Sequence, residues 1–249
     1  PSKTFPNHYT LVTGLRLANH GIISNNMRDP DLPGDFRMDN REVISDPRWW
    51  GGEPIWNTVE KQGRKAGAMF WPGSEAKING RQPAYWMPFD DRMPHQERIN
   101  HILEWLQLPA GQQPSFLTLY FSDVDSAGHS RGPESQEVRD AVMAVDASVG
   151  HLVDGVKKIG LADRVTYVIV SDHGMAAVPP DHMIVLDNYV DVSTVDVVDW
   201  APVLALSPKD GNVERLYAAL KGKHPALDVY RSSTRNGRPR KKHDQDREH

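Results

Sequence analysis

Two pairs of acidic and imidazole side chains are the first candidates for chemistry in this sequence. Asp125 and His129 are separated by three residues, and Asp172 and His173 are adjacent in the stretch SDHGM. Because the chain has no cysteine, His and Asp/Glu are its only strong metal ligands, and both bind zinc and similar divalent ions. Two such ions can hold the attacking and leaving oxygens of a phosphoryl transfer. Each pair alone is also compatible with a capped turn or a hydrogen-bonded loop.

Thr4 is the candidate nucleophile. Pro6 is suited to a first helical turn, and a helix over residues 7–13 that ends near Gly14 would place the Thr4 hydroxyl just before its start. Backbone N–H groups and the helix dipole favour a phosphate anion there. A hydroxyl nucleophile needs activation, which a metal ion that lowers its pKa would supply. The alternative is that Thr4 only caps the helix.

The elements that must position these residues are predicted from hydrophobic patterns. Residues 115–122 and 165–171 have the β-branched and aromatic content of strands, and each runs directly into acidic residues. The apolar residues between positions 138 and 159 keep helical spacing. The pattern predicts a βαβ unit whose second strand is covered on both faces, as in a parallel sheet. Ligands gather at the carboxyl ends of such strands, where both pairs lie.

Other segments complete the expected organisation. Amphipathic helices are predicted at 94–106 and 213–220, and the Trp- and Pro-rich stretch of about 26–110 is expected to be an insertion. Residues 1–230 are predicted to form a partial catalytic domain. Residues 231–249 contain no aliphatic or aromatic side chain, which predicts a disordered polar tail.

The bulk properties exclude some classes of partner. The 249-residue chain has a formal net charge of -4, so no global basic field indicates specific binding of nucleic acid. No apolar run approaches the roughly 20 residues of a membrane span. The chain starts at Pro1 without a methionine, so we expect its natural start and any export signal to be missing.

Several motifs, in order along residues 3–190, carry a resemblance to a known family. They are KTFPNHY with VTGL, HGI with NNM and DP, GGEPIW, WPGS, DSAGHSRGP and SDHGM. In this order they resemble the nucleotide pyrophosphatase/phosphodiesterase family of the alkaline phosphatase superfamily. The resemblance implies an alkaline-phosphatase-like α/β fold, with a mostly parallel sheet flanked by helices. It also implies hydrolysis of phosphodiester or pyrophosphate bonds of nucleotides, with release of a nucleoside monophosphate.

The resemblance implies a site with two divalent metal ions, with Zn²⁺ the expected ion. Thr4 would form a covalent phospho-threonine intermediate while bound to one ion together with Asp172 and His173. Asp125 and His129 would hold the second ion, which activates the hydrolytic water.

Further residues match the part of the family site that binds substrate. Asn25 would donate a hydrogen bond to a phosphate oxygen. Phe5 and an aromatic residue such as Tyr85 or Phe89 would form the slot for a nucleobase, whereas core packing is the favoured interpretation for Trp86. The expected ligand is thus a nucleotide or another small phosphodiester.

The sequence also departs from the family pattern. The resemblance implies an aspartate ligand on an earlier strand and a histidine ligand in a later Gly-His-Gly motif, and the 249 residues contain neither. We therefore expect a fragment that is truncated at both ends, from an exported periplasmic or extracellular protein. A lipid-headgroup phosphodiesterase of the same family, and an inactive remnant that binds phosphate or a partner protein, are the alternatives.

Overall fold

The computed structural model describes residues 3–29, 31–201 and 203–231. Eight α-helices lie in this part of the chain: α1 Thr4–Thr13, α2 Leu17–His20, α3 Arg41–Ile44, α4 Ile55–Lys61, α5 His95–Leu106, α6 Asp123–Arg131, α7 Gln136–Lys158 and α8 Val213–Leu220. Seven strands lie in the same ranges: β1 Asn26–Arg28, β2 Asp35–Arg37, β3 Lys65–Met69, β4 Tyr85–Trp86, β5 Pro114–Leu119, β6 Val195–Asp199 and β7 Ala205–Pro208.

A three-stranded parallel sheet in the order β4–β3–β5 forms the centre of the fold. Helix α5 lies between β4 and β5 in the chain and provides the crossover that parallel strands require. Gly67 in β3 packs so closely that an added Cβ would lie 2.6 Å from Leu117 and 2.9 Å from Trp105. Small residues in β3 therefore let the helix and its neighbouring strand approach.

Helices cover both faces of this sheet. On one face, Ala66 packs in an aromatic cluster with Trp56 of α4. On the other face, Met69 packs with Ile102 of α5 and Val156 of α7. These layers confirm the predicted α/β class, in which a parallel sheet is flanked by helices.

The Trp- and Pro-rich stretch 26–110 builds the sheet rather than interrupting it. It contains β3 and β4, and Trp49, Trp50 and Trp56 are almost completely buried, with exposures of 0%, 2% and 0%. The expectation of an insertion came from its turns and aromatics. In the folded chain these aromatics form the core beneath α1.

The strand predicted at residues 165–171 is not formed, and this part of the prediction is wrong. No strand is assigned there, and Val168, Ile169 and Val170 are 80%, 78% and 52% exposed. A strand needs a hydrogen-bonded neighbour, and the described ranges supply none for this segment. The predicted βαβ unit therefore lacks its second strand, and the parallel sheet is formed by β3, β4 and β5, with α5 connecting β4 to β5.

The other predicted elements agree with the structure to within a few residues. Helix α5 was expected at 94–106 and α8 at 213–220, and α7 extends slightly beyond the apolar pattern at its start. The Ser135 hydroxyl caps α7 by accepting a hydrogen bond from the Val138 amide, at 3.3 Å.

Two antiparallel ribbons flank the central layers. β1 pairs with β2, and β6 pairs with β7. β1 also packs against β6, so the two ribbons lie side by side.

The predicted polar tail, residues 231–249, falls almost entirely outside the described residues. Within them, Arg231 forms an ion pair with Glu214, at 2.6 Å. None of the helices in the described ranges is both long and apolar enough to cross a membrane.

Candidate active site

Thr4 is the first residue of α1, and Lys3, in an extended conformation, is its N-cap. Helix α1 therefore begins three residues earlier than predicted. No side chain caps its start, so the capping interpretation of Thr4 does not hold. The Thr4 hydroxyl makes no hydrogen bond with any other residue that the structure describes. It lies at the positive end of the helix dipole, which favours an anion, although Pro6 has no N–H and the Phe5 amide is already hydrogen-bonded.

Asn25 lies beside the same first turn. Its Oδ1 accepts a hydrogen bond from the Phe5 amide, at 2.9 Å, and this bond fixes the orientation of the side-chain amide. The Nδ2 group makes no hydrogen bond within the described residues and is free to donate. The structure thus brings the predicted nucleophile and the predicted phosphate donor together.

The Asp172–His173 pair packs against the first two turns of α1. Asn7 Nδ2 donates to the Asp172 carbonyl, at 2.7 Å, and His8 Nδ1 lies 3.4 Å from Asp172 Oδ2. His173 Nε2 lies 3.2 Å from the same oxygen. The pair therefore contacts the turn of α1 that follows Thr4, although 168 positions separate Thr4 from Asp172 in the sequence.

His8 is a site residue that the sequence analysis missed. Its ring is buried, its Nδ1–H donates to the Thr4 carbonyl at 2.8 Å, and it makes edge contacts with Trp71 and Tyr120. Burial lowers the pKa of His8, partly opposed by the Thr4 carbonyl and by Asp172. The available signal was its position one helical turn after Thr4, on the same face of α1.

Asp125 and His129 lie one turn apart on α6. His129 Nε2 is 3.5 Å from Asp125 Oδ1, and the imidazole is 71% exposed. Helix α6 packs on the segment after His173, because Gly128 is buried against Met175: an added Cβ would lie 2.5 Å from its sulfur. Burial and then the charges of Asp172 and Asp125 raise the pKa of Tyr120 to about 12. The two pairs therefore face the same region.

The donor chemistry of the two pairs suits a cation. His173 Nδ1–H donates to the Gly174 carbonyl, at 2.9 Å. The His173 Nε2 atom therefore faces the Asp172 carboxylate, at 3.2 Å, and these two groups are the ones that would bind a metal ion.

The number of ligands is lower than a catalytic zinc site needs. Each pair supplies two donors, whereas catalytic zinc usually has three protein ligands. Across residues 3–29, 31–201 and 203–231 there is no group of three or more His, Cys, Asp or Glu side chains placed to hold one metal ion.

The predicted aromatic residues have different surroundings. Phe89 is 39% exposed, and its ring lies 5.9 Å from Tyr120, which contacts His8. Phe5 is largely buried, with its ring 5.8 Å from Phe36. Of these two rings, Phe89 is therefore the one that is exposed to solvent beside the site.

Tyr85 lies away from this group. It stacks on Trp105, with the ring centres 5.8 Å apart, and its hydroxyl donates to the Gln112 carbonyl. Gln112 precedes β5, whereas Asp125 follows it, so the Tyr85 side chain extends away from the end of the sheet at which Asp125 lies. Trp86 is half-buried in β4.

Two sets of contacts hold the connection between the carboxyl end of β5 and the start of α6. The fully buried Arg98 guanidinium donates to the carbonyls of Tyr120 and Met93, both at 2.9 Å. His95 Nε2 lies 2.8 Å from Asp123 Oδ2, and its Nδ1 lies 2.8 Å from the Ser148 hydroxyl. Contacts to α5 and α7 therefore fix the start of α6.

A profile of the family described as type I phosphodiesterase / nucleotide pyrophosphatase matches residues 1–247. The chain is 44% identical over 211 residues to human ectonucleotide pyrophosphatase/phosphodiesterase family member 1, covering 84% of this chain and 23% of that protein. It is 37% identical over 231 residues to human family member 5, covering 92% of this chain and 48% of the relative.

A solved structure is also similar. It is an inactive threonine-to-alanine variant of murine ectonucleotide pyrophosphatase/phosphodiesterase 5 in complex with AMP, with a TM-score of 0.85 and 37% identity. The match covers 92% of this chain and 60% of the murine chain. This chain therefore spans less than two thirds of the length of each of these relatives.

Proposed function

The chain belongs to the type I phosphodiesterase / nucleotide pyrophosphatase family, and from this premise we propose that it forms part of a metal-dependent enzyme that hydrolyses phosphodiester or pyrophosphate bonds of nucleotides. The product is a nucleoside monophosphate. The observation that carries the proposal is the free Thr4 hydroxyl at the start of α1, with the Asn25 amide and the Asp172–His173 pair beside it.

The proposed reaction has two steps at Thr4. The Thr4 oxygen attacks phosphorus and forms a phospho-threonine, while the bond from phosphorus to the leaving oxygen breaks. Water then attacks the same phosphorus, the bond to Thr4 breaks and the hydroxyl is regenerated. Divalent ions held by the two Asp/His pairs, with Zn²⁺ our proposed ion, would lower the pKa of the Thr4 hydroxyl and of this water.

The residues of the chain orient the phosphate in this scheme. The Thr4 amide and Asn25 Nδ2 donate to its oxygens, which carry the negative charge of the transition state, whereas the Phe5 amide is engaged by Asn25 Oδ1. His8 donates to the Thr4 carbonyl and lies 3.4 Å from Asp172 Oδ2, so it helps to hold the Asp172 carboxylate in place. The half-exposed Phe89 is the proposed contact for the base, whereas Phe5 forms the inner wall. The role of Tyr85 in binding the base stays a prediction, and the position of its side chain does not support it.

The comparisons support this proposal. In the murine relative, replacement of a threonine by alanine gives an inactive protein that is seen with AMP. AMP is a nucleoside monophosphate, the class of product proposed here. The resemblance implies an exported protein, and export stays a prediction. An exported enzyme would release this product outside the cell.

The proposal is tested with Thr4 variants of the purified protein and a nitrophenyl ester of thymidine monophosphate. Thr4→Ala should reduce turnover to near background, whereas Thr4→Ser should keep part of it because the attacking oxygen remains. Thr13→Ala is a matched control on the same helix, since the Thr13 hydroxyl donates to the Tyr9 carbonyl and accepts from the Leu15 amide at the opposite end of α1. Substantial turnover by Thr4→Ala would contradict the assignment.

The substrate class is tested separately. Asn25 is neutral, and it offers less positive charge to a dianionic monoester than an arginine clamp would. We therefore expect the thymidine ester to be cleaved faster than nitrophenyl phosphate. A preference for a choline or glycerol phosphodiester over the nucleotide would favour a lipid-headgroup enzyme. A folded protein that binds AMP but never cleaves the ester with added Zn²⁺ would favour an inactive remnant.

A further inference from the structure

The Asp199 carboxylate at the end of β6 is one of the most heavily bonded groups in the described chain. It is 6% exposed and accepts hydrogen bonds from the Lys3 ammonium and the Ser24 hydroxyl. Its other oxygen accepts from Asn26 Nδ2 at 3.4 Å and from the Trp200 amide at 3.0 Å. Four donors thus converge on one buried acid.

Three of the four donors to Asp199 come from the two segments that carry the proposed catalytic groups. Lys3 directly precedes Thr4, and Ser24 and Asn26 flank Asn25. A single side chain from a distant strand therefore joins both segments. The hydrogen bond from the Phe5 amide to Asn25 Oδ1, at 2.9 Å, is a second link between the same two segments.

Because it is buried, the ion pair between Lys3 and Asp199 fixes the position of Lys3. The side chains of Lys3 and Asp199 are 9% and 8% exposed, and a buried charge without its partner is strongly unfavourable. The pair therefore holds the backbone at Lys3 close to the end of β6. Because Thr4 is the next residue, a shift at Lys3 moves the start of α1 and the nucleophile with it.

We propose that Asp199 is a positioning residue, which aligns Thr4 with Asn25 across the anion site without touching substrate. This inference rests on the proposed function for its catalytic consequence, but the alignment itself can be measured without activity. Neither the motifs nor the strand pattern of the sequence assigns a role to Asp199.

The chain offers a matched control on the same strand. Asp196 is also in β6, but its side chain is 42% exposed, and it contacts Arg28 at 3.3 Å. Asp196→Asn removes the same charge from β6 without reaching the segments around Thr4 and Asn25.

Hydrogen exchange of the purified chain tests the alignment. In Asp199→Asn, the Phe5 amide should exchange roughly tenfold faster, because its acceptor Asn25 is no longer held in place. The Ala68 amide in the central sheet should keep its protection and show that the variant is folded, and Asp196→Asn should leave Phe5 unchanged. Wild-type protection of Phe5 in a folded Asp199→Asn variant would overturn the proposal.

A second variant covers the case in which Asp199→Asn does not fold. Lys3→Met combined with Asp199→Asn removes both charges, so no buried ion is left without a partner. Asparagine keeps only one acceptor oxygen, so at least one of the links from Ser24 and Asn26, which use different carboxylate oxygens, is still lost. We expect a folded protein with fast exchange at Phe5, and slow exchange there would again contradict the positioning role.

Kinetics test the catalytic consequence. We expect Asp199→Asn to lower kcat by about 10- to 100-fold, with a smaller change in KM, because misplacement of a reacting group acts mainly on the chemical step. In an Asn25→Ala background the same substitution should have little further effect, since both changes disrupt one arrangement. Additive losses would overturn the role.

The kinetic and exchange results separate the two proposals. A folded wild-type protein that does not cleave the nucleotide ester even with excess Zn²⁺ would contradict the proposed function, while exchange at Phe5 would still decide whether Asp199 aligns the two segments.

Discussion

At the scale of single residues, Asn25 contributes two different atoms to the start of α1. Its Oδ1 accepts from the Phe5 amide, which is a structural contact. Its Nδ2 has no partner in the described part of the chain and is the proposed donor to phosphate. A substitution that keeps one atom and changes the other can separate these roles.

Asn25→Asp keeps an oxygen acceptor for the Phe5 amide but replaces the free donor with a negative charge. The helix N-terminus favours that charge by about 0.3–1 kcal/mol, so the free energy of unfolding should stay the same or rise. Phosphate binding should weaken through repulsion. Urea unfolding and titration with AMP measure the two effects, and tighter AMP binding by the variant would contradict the role of Nδ2.

His20 is a buried histidine outside the proposed chemistry. Its Nδ1 accepts from the Ile22 amide, at 3.1 Å, and its Nε2 lies 2.9 Å from the Thr10 hydroxyl. The first contact requires an unprotonated Nδ1, so the folded chain holds His20 in its neutral form. Burial lowers its pKa from 6.5 to about 4.

This shift predicts a loss of stability in mild acid. Between about pH 6.5 and pH 4 the unfolded chain binds a proton at His20 and the folded chain does not, so stability falls as the pH falls through this window, by about 2 to 3 kcal/mol. His20→Asn keeps an acceptor for the Ile22 amide and should flatten the dependence. Urea unfolding at several pH values measures it, with His151→Gln, on the exposed face of α7, as the control. An unchanged pH slope in His20→Asn would show that other groups cause it.

At the scale of elements, residues 165–171 have the composition of a strand, but they pair with no other strand that the structure describes. Val168 and Ile169 are adjacent and 80% and 78% exposed, so side chains on both faces meet solvent. Exposed apolar segments with free backbone groups are templates for pairing with another chain. We therefore expect this segment to drive self-association of the isolated chain.

A charged residue in this segment should suppress that association. Ile169→Lys should lower light scattering at high protein concentration, while the free energy of unfolding changes by no more than about 0.5 kcal/mol, as for other exposed positions. Leu11→Lys is the control, because Leu11 is a 48% exposed apolar residue on α1. Equal effects of the two substitutions would indicate a general effect of charge rather than a specific surface.

At the scale of the whole molecule, the ligand count predicts weak metal binding by the 249-residue chain. Each Asp/His pair supplies two donors, and the described ranges contain no group of three or more such residues around one position. Loss of even an outer-shell partner weakens metal binding about 10–100-fold, so two-ligand sites should bind Zn²⁺ weakly. Isothermal titration of the chain measures this. Two tight sites would show that further ligands come from residues that the structure does not describe.

The sequence by itself determined the family, the α/β class and most of the helices. Local patterns carry this information: helical spacing defines α5, α7 and α8, and the motif order along residues 3–190 carries the resemblance. Thr4 and Asn25 were also identified from motifs, and the structure brings them to the same helical turn.

Only the tertiary structure decided which segments pair and which distant residues meet. The pattern of residues 165–171 favours a strand, but a strand forms only where another chain segment supplies hydrogen bonds. His8 and Asp199 carry no motif that distinguishes them, and their roles come from contacts with Asp172 and Lys3. Such contacts join positions more than 160 residues apart. Packing of the whole chain sets these distances, and no local pattern in the sequence encodes them.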